Sequence, residues 1–507
     1  MNVAIRVDAS RAIGTGHVKR MLSLATALRR GGSTVRFVTR ETDIAAAAMI
    51  RDAGHDCGIL PRVDGAGDAG IPHASWAGVT SAADADDTVA SLGDWRADWI
   101  VIDHYGFDAR WHRRARSASG ARIAVIDDLA DREIDADLVV DHNHARDHRA
   151  KYAACGTAQR LLGGPRFALL GPEFASAPRC VVEDIVPSIG IFMGGVDAAG
   201  VSADILAAVR SAGFSGPVEL ISTSANPGLD DLRARVAVDP AATLSIDLPD
   251  LSAFFARHGL QVGAGGGATW ERCCIGAPTL LLAVADNQLA VVPALAADKV
   301  VAAIDPQAHT DIPAIADALS HLIDDAPRRR DMADRSRALV DGRGAERVAM
   351  AMLAPSLAVR PATRADSRTM YLWRNHPETR AVSHDAGEIA FVDHDAWLAR
   401  ALDDPARSLL IAQVGDVPVG VIRFDRTSDD RMVVSLYLDP ALHGLGLGRA
   451  MLIAGERASA DGLDIVAEVV EGNIGSTRLF ESAGYSAMAP GTFVKSGRRP
   501  RNHGAAS

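Results

Sequence analysis

The chain has 507 residues, 48% of them hydrophobic and 23% charged, too many for one ordinary core, so about two to four domains are expected. Its 53 basic residues against 64 acidic ones give a net charge of −11, which excludes a general nucleic-acid binder and leaves room only for a local phosphate-holding patch. The opening MNVAIRVDAS enters a charged strand without the apolar run of a secretion signal, no stretch approaches the ~20 apolar residues of a membrane span, and the five cysteines are odd in number with no C-x-x-C, so a cytoplasmic chain with reduced thiols and no membrane partner is expected.

Residues 1–350 alternate strand-like and helix-like segments. VAIRV, STVRFVT, DWIVID, ARIAVID and DLVVD are followed by SIGIFM, PVELIS, LQVGA, TLLLAV and KVVAAI, with helical stretches between most of them. This is the pattern of parallel, doubly wound α/β sheets, and it is too long for one sheet. Prolines and polar residues break it within GPEFASAPRCVVEDIVP, which predicts one Rossmann-like half at 1–175 and another at 176–350.

The first turn is unusual. GTGHVKR places His17 where a strand becomes a helix, just after Gly14 and Gly16. The glycines serve either backbone geometry alone or a site. In open α/β sheets ligands bind at the carboxyl ends of strands, helix starts offer free N–H groups to anions, and imidazole accepts a proton near neutral pH. Arg6 and Asp8 flank the turn and are candidates for orienting a ligand bound there. Farther on, DHNHARDH places His144 and His148 four residues apart, but no H-E-x-x-H pattern completes a ligand set, so a polar loop is expected and no metal.

In the second half SIGIFMGG ends a strand in Gly194 and Gly195. LQVGAGGGATWERCC runs from a strand through Gly266 and Gly267 into a helix carrying Thr269 and Glu271, and the next strand ends in DNQ, with Asn287 and Gln288. A glycine-rich helix start suits a diphosphate, and a carboxylate one turn in suits a ribose diol. Alone, Glu271 reads equally as a capping glutamate.

After PSLAVRPATRAD the order changes, and a separate α/β domain is expected at 356–495, followed by a disordered tail at 496–507. A helix with Trp373, Arg374 and Asn375 precedes three antiparallel-looking strands. The last strand, ending at Leu438, runs through LDPALHGLGLGRAML, where His443, Gly444, Gly446, Gly448 and Arg449 lead into a helix. Backbone N–H groups at such a turn approach a pyrophosphate closely. Asn473, Ser476 and Phe480 follow a further strand.

The turn HGLGLG resembles the R/Q-x-x-G-x-G/A signature of the GCN5-related N-acetyltransferases, with His443 in the R/Q position. The resemblance covers about 140 residues of the chain. It implies acetyl-CoA as co-substrate, held by His443 to Arg449 with Leu438, Asn473 and Ser476, and direct attack of an amine on the thioester. Phe480 stands where the family often has the tyrosine that protonates the leaving thiolate. Tyr437, Tyr485 or water are the substitutes. The helix of Trp373, Arg374 and Asn375 resembles the acceptor side of those members that acetylate nucleotide-linked 4-amino-4,6-dideoxy sugars.

The glycine–glutamate–DNQ arrangement resembles the donor half of MurG-like glycosyltransferases of the GT-B fold. RVDAS, GTGHVKR, IDHYGFD, IDDLADR, DHN and GGPRFALLGPEF, in that order, look like the UDP-2,4-diacetamido-2,4,6-trideoxy-β-L-altropyranose hydrolases of pseudaminic acid synthesis. There the turn histidine is catalytic, which carries over to His17. His142 and Gly267 depart from the family, which more often has glutamine and serine at those positions. The fold implied is α/β, two Rossmann-like GT-B halves followed by an N-acetyltransferase domain. The function implied is bifunctional: acetylation of a UDP-4-amino-4,6-dideoxy sugar, then hydrolysis of the product to free sugar and UDP. A GT-B glycosyltransferase with a fused acetyltransferase or acetyl-CoA-binding module is the alternative. UDP-sugar and acetyl-CoA are the expected partners, without nucleic acid. Contact with neighbouring pathway enzymes and a role in flagellin or surface-polysaccharide glycosylation follow from the resemblance alone.

Overall fold

The computed structural model describes residues 1–459 and 462–497; most of the expected tail, from residue 498 onward, lies outside them. The chain divides into two compact units, one of Asn2–Thr26 with Thr34–Val348, the other from Ala349 onward together with Met1 and Ala27–Ser33.

The first unit contains two parallel sheets. The seven strands of the first lie in the order Asp56–Leu60, Thr34–Arg40, Asn2–Val7, Trp99–Asp103, Arg122–Ile126, Ile134–Asp141, Gly156–Gly163. The chain starts in the middle, winds outward one way, then returns and winds outward the other way. The order therefore reverses between Asn2–Val7 and Trp99–Asp103, which pair directly, Val7 opposite Asp103. Helices pack on both faces, so Trp99–Asp103 is buried at all five positions and is apolar from Trp99 to Ile102, up to the carboxylate at its end. Such reversal points open a crevice at the carboxyl ends of the strands.

The second sheet repeats the plan in six strands: Ala242–Ile246, Val218–Ser222, Ile189–Phe192, Leu260–Ala264, Thr279–Leu282, Ala302–Ala303. Its reversal lies between Ile189–Phe192 and Leu260–Ala264. The glycines after both strands therefore meet at one crevice. Fully buried Ile191, Ile205, Leu220, Val262, Leu280 and Leu319 tie this sheet to its helices, at ~1.5–3 kcal/mol for each large aliphatic side chain.

The second unit holds a mixed sheet in the order Ala358–Pro361, Arg407–Val414, Val417–Arg426, Arg431–Leu438, Asp464–Glu468, Thr492–Lys495, Ser486–Ala489. All neighbours are antiparallel except Arg431–Leu438 with Asp464–Glu468. That parallel pairing runs only from Arg431↔Asp464 to Val434↔Ala467. Beyond it, Ser435 to Leu438 keep their partners on the other side alone, and the sheet splays open.

Candidate functional site

At the first reversal point the helix Gly16–Arg30 begins directly after the turn carrying His17. His17 is 8% exposed. Its Nδ1 lies 2.6 Å from Asp103 Oδ1 at the end of the neighbouring strand. Arg20, one turn along the same helix, donates from Nε to Asp103 Oδ2 at 2.6 Å and from Nη2 to Tyr105 Oη at 3.2 Å. Tyr105 donates in turn to Asp128 Oδ1 at 2.5 Å, and Asn143 Nδ2 donates to Asp128 Oδ2 at 3.2 Å. Burial works to raise the Asp103 carboxyl, but the Arg20 charge and the hydrogen bonds from Arg20 and His17 hold it well below the usual carboxylate range. An ionised carboxylate only accepts, so the ring nitrogen facing Asp103, Nδ1, carries a proton, and in the neutral imidazole the lone pair is then on Nε2. Tyr105 and Trp76 wall the imidazole edge-on, with ring centroids 4.8 and 6.4 Å away. His142 Nε2 lies 3.4 Å from Arg20 Nη1, and burial pushes this histidine down to about 4, so it stays neutral.

Arg6 and Asp8 are placed otherwise than as sugar contacts. Arg6 has no exposed surface. It donates to both oxygens of buried Asp84, at 3.0 and 2.8 Å, and pairs with Asp8. Asp8 also accepts from the Arg40 backbone N–H at 2.7 Å and from Thr39 Oγ1 at 3.1 Å, while Arg40 and Trp111 Nε1 complete Asp84. These charges hold the strand ends beneath the turn, which leaves neither side chain free to meet a ligand.

At the second reversal point Gly194 turns with φ +99°, a left-handed conformation suited to glycine. Gly195 accepts from Thr223 Oγ1 at 2.6 Å. The helix Ala268–Ile275 starts after Gly265, Gly266 and Gly267, and a Cβ added at Gly267 would meet no atom within 4 Å, so the turn faces open space. The Thr269 N–H is taken by Gly266 O at 2.9 Å, and Thr269 itself is buried, its hydroxyl 3.5 Å from Ala264 O. The N–H groups positioned for an anion are therefore those of Gly266 to Ala268. Gln288 accepts with Oε1 from the N–H groups of Gly265 and Val284, at 3.2 and 3.0 Å, and so braces the two strand ends; only its Nε2 remains for a ligand. Asn287 is exposed. Glu271 Oε2 is buried without a hydrogen-bond partner, and burial pushes this carboxyl up to about 7 even though the Lys19 charge from the other half draws it down. An orphaned acceptor beside an open glycine turn is what a ribose diol would complete.

The histidine-rich loop disperses. His144 Nε2 meets Asp298 Oδ2 of the second half at 2.6 Å, and His148 Nε2 contacts Asn143 O at 2.9 Å. Among the described residues no group of three or more His, Cys, Asp or Glu could hold a metal, all five cysteines are free thiols, and no helix is long and apolar enough to cross a membrane.

In the second unit Gly444 and Gly446 take φ of +80° and +79° before the helix Leu447–Ser459, and a Cβ at Gly444 would meet nothing within 4 Å. This open turn at the end of the splayed strand fits a pyrophosphate. At Gly448 a Cβ would make ordinary contact with Leu479, so glycine there is not demanded by space. His443 Nδ1 lies 3.4 Å from Glu378 Oε2, and exposed Arg449 donates to Ser482 O at 3.2 Å. Asn473 caps the helix Ile474–Ser482 by accepting from Ser476 N at 3.0 Å, which commits its carbonyl and leaves its amide for a ligand. Arg374 donates to Asp385 O at 2.8 Å, with Nη1 buried and unpartnered. Asn375 exchanges two bonds with the Ile389 backbone, at 2.7 and 3.0 Å, which shape the loop and leave one amide N–H for a further partner. Trp373 packs, half-buried, with Tyr437 against Met370, Leu398 and Val421.

Residues 368–485 match the Acetyltransferase (GNAT) family. Spore coat polysaccharide biosynthesis protein SpsG of Bacillus subtilis (strain 168) is 22% identical over 353 residues, covering 69% of this chain and 96% of that protein. MurG of Acinetobacter baumannii superposes with a TM-score of 0.50 at 14% identity, over 69% of this chain and 98% of MurG. The chain joins a MurG-like GT-B unit to a GNAT acetyltransferase domain. The GNAT part is also similar to mycothiol acetyltransferase of Kineococcus radiotolerans, 33% identical over 160 residues; the match covers 31% of this chain and about half, 51%, of that enzyme.

Asp103, Arg20, Tyr105, Asp128 and Lys19 lie within GTGHVKR, IDHYGFD and IDDLADR but were assigned no role of their own, and Trp76 lies outside those motifs. Asp103 had a signal. It is the last residue of a strand beside the first strand, which in a doubly wound sheet faces the crevice.

Proposed function

We propose that the GT-B unit hydrolyses a UDP-linked, 4-acetamido deoxy sugar and that the GNAT domain makes that substrate by acetylating the 4-amine from acetyl-CoA. The hydrolytic reading rests chiefly on the His17–Asp103 pair at 2.6 Å, set at the sheet reversal with Nε2 as the free base. His17 Nε2 takes a proton from water; the water oxygen bonds to C1; the C1–O bond to the β-phosphate breaks and its electron pair leaves with UDP. Glu271 receives the ribose hydroxyls, and the N–H groups of Gly266 to Ala268 meet the departing charge. In the GNAT domain the turn at Gly444 and Gly446 holds the CoA pyrophosphate and the splayed strand lines the thioester. The amine attacks the acetyl carbonyl, the C–S bond breaks with its electron pair on sulfur, a neighbouring donor protonates the thiolate, and the proton the amine gives up restores that donor. Similarity to a spore coat polysaccharide protein supports sugar biosynthesis as the setting. The pseudaminic acid pathway is the specific assignment within it.

The test is a mass-resolved time course with UDP-4-amino-4,6-dideoxy-N-acetyl-β-L-altrosamine, with and without acetyl-CoA. Acetylation followed by UDP release, both dependent on acetyl-CoA, is expected. UDP release only after an acceptor sugar is added would make the first unit a glycosyltransferase. No acetylation would reject the acceptor.

A further inference from the structure

When the C1–O bond breaks, a full negative charge lands on the diphosphate, and the helix start at Ala268 offers it only N–H dipoles. The first half supplies a cation. Lys19 stands two residues beyond His17 in the same helical turn, its backbone N–H bonded to Thr15 O at 3.1 Å and its side chain exposed. Its neighbours are committed, His17 and Arg20 to Asp103 and Tyr105. Lys19 is not; the carboxylate it acts on is Glu271, across the crevice, whose Oε2 is buried without a partner. Glu271 stands in the first turn of the helix that opens at Gly266 and Gly267, and a Cβ at Gly267 would meet no atom within 4 Å. An ammonium, an orphaned carboxylate and an open glycine turn match the parts of one ligand class: a nucleoside diphosphate, with anion for the lysine and diol for the glutamate.

We propose that Lys19 is the cationic ligand of the diphosphate, neutralising UDP as it leaves and serving as the counter-charge of Glu271 when no nucleotide is bound. The role rests on the hydrolase reading above. It belongs to the chemical step, since the charge that Lys19 meets grows as the bond breaks. It also couples the halves: nucleotide binding draws Lys19 from the carboxylate to the phosphates and leaves Glu271 to the ribose.

Calorimetric titration of the full-length protein with UDP and with uridine tests this, in wild type, Lys19→Ala and Lys19→Arg. A charge-assisted contact predicts that Lys19→Ala weakens UDP about 10- to 100-fold, leaves uridine within about twofold, and slows UDP release from the sugar on the order of 10²–10³-fold. Lys19→Arg keeps most of the UDP affinity. Equal UDP affinity in wild type and Lys19→Ala overturns the proposal while leaving the nucleotide reading intact. Equal losses for UDP and uridine also overturn it, because Lys19 would then act on the ribose through Glu271. A wild type that binds neither ligand overturns the hydrolase reading and this role with it.

Discussion

His17 Nδ1 and Asp103 Oδ1 are 2.6 Å apart although 86 residues separate them in the chain, because the first and fourth strands of one sheet are neighbours at its reversal point. The pair fixes the imidazole tautomer. Asp103→Asn preserves shape but presents an amide that can donate to Nδ1, which favours the tautomer protonated on Nε2. UDP release should fall on the order of 10²–10⁴-fold with UDP affinity little changed. His17→Ala should fall as far and still fold. A double variant no slower than either single one would identify them as one unit; near-normal turnover in His17→Ala would remove the base.

Glu271 gives a pH-dependent prediction. Its carboxyl sits near 7 in the folded chain against an ordinary 4.5. The raised value means that the folded state holds this proton more tightly than the unfolded state. Its contribution is fully present below about pH 4.5 and is lost as pH rises through 7, at most ~3 kcal/mol. Glu271→Gln should therefore raise the melting temperature of the nucleotide-free protein at pH 8 and change it little at pH 4.5. The same variant should lose uridine affinity, since the diol needs the ionised carboxylate. A variant neither more stable at pH 8 nor weaker for uridine would make Glu271 an ordinary helix residue.

Asp84 carries the charge network under the turn. It accepts from Arg6, Arg40 and Trp111 and has no exposed surface. Removing one partner of a buried ionic cluster strands the others, so Asp84→Ala should cost ~3–5 kcal/mol in denaturant unfolding. A loss under 1 kcal/mol would mean that water enters and solvates the arginines.

The alternating apolar runs disclosed the parallel sheets, yet Asp56–Leu60, Gly156–Gly163 and Ala242–Ile246 escaped notice. Each is an edge strand, where one side lacks a partner and polar residues such as Gln159 and Arg160 are tolerated. The glycine turns were legible because backbone geometry restricts which residue can stand there. The role of Arg6 was not. A strand-end arginine reads the same whether it faces ligand or a buried Asp84 contributed from 78 residues away. The loop bonds of Asn375 were not legible either: its place at the end of the helix was visible, its two bonds to Ile389 were not.

The leaving thiolate of the acetyl transfer needs a proton donor other than Phe480, whose ring is buried against Tyr485 and Phe493 at 5.0 and 6.3 Å. Tyr485 does not suit the task, for its hydroxyl donates to Glu456 Oε1 at 2.8 Å on the helix Leu447–Ser459. Tyr437 stands in the part of its strand that has left Asp464–Glu468, where the splay opens, and burial holds its hydroxyl protonated above its ordinary value, though the Arg374 and Arg423 charges draw it down. Tyr437→Phe should therefore lower the acetylation rate about 10- to 100-fold, with less loss at low pH, where solvent supplies the proton. Tyr485→Phe should leave the rate within about twofold and cost ~1 kcal/mol of stability through the lost bond. Equal rates in wild type and Tyr437→Phe across the pH range would give the protonation to water.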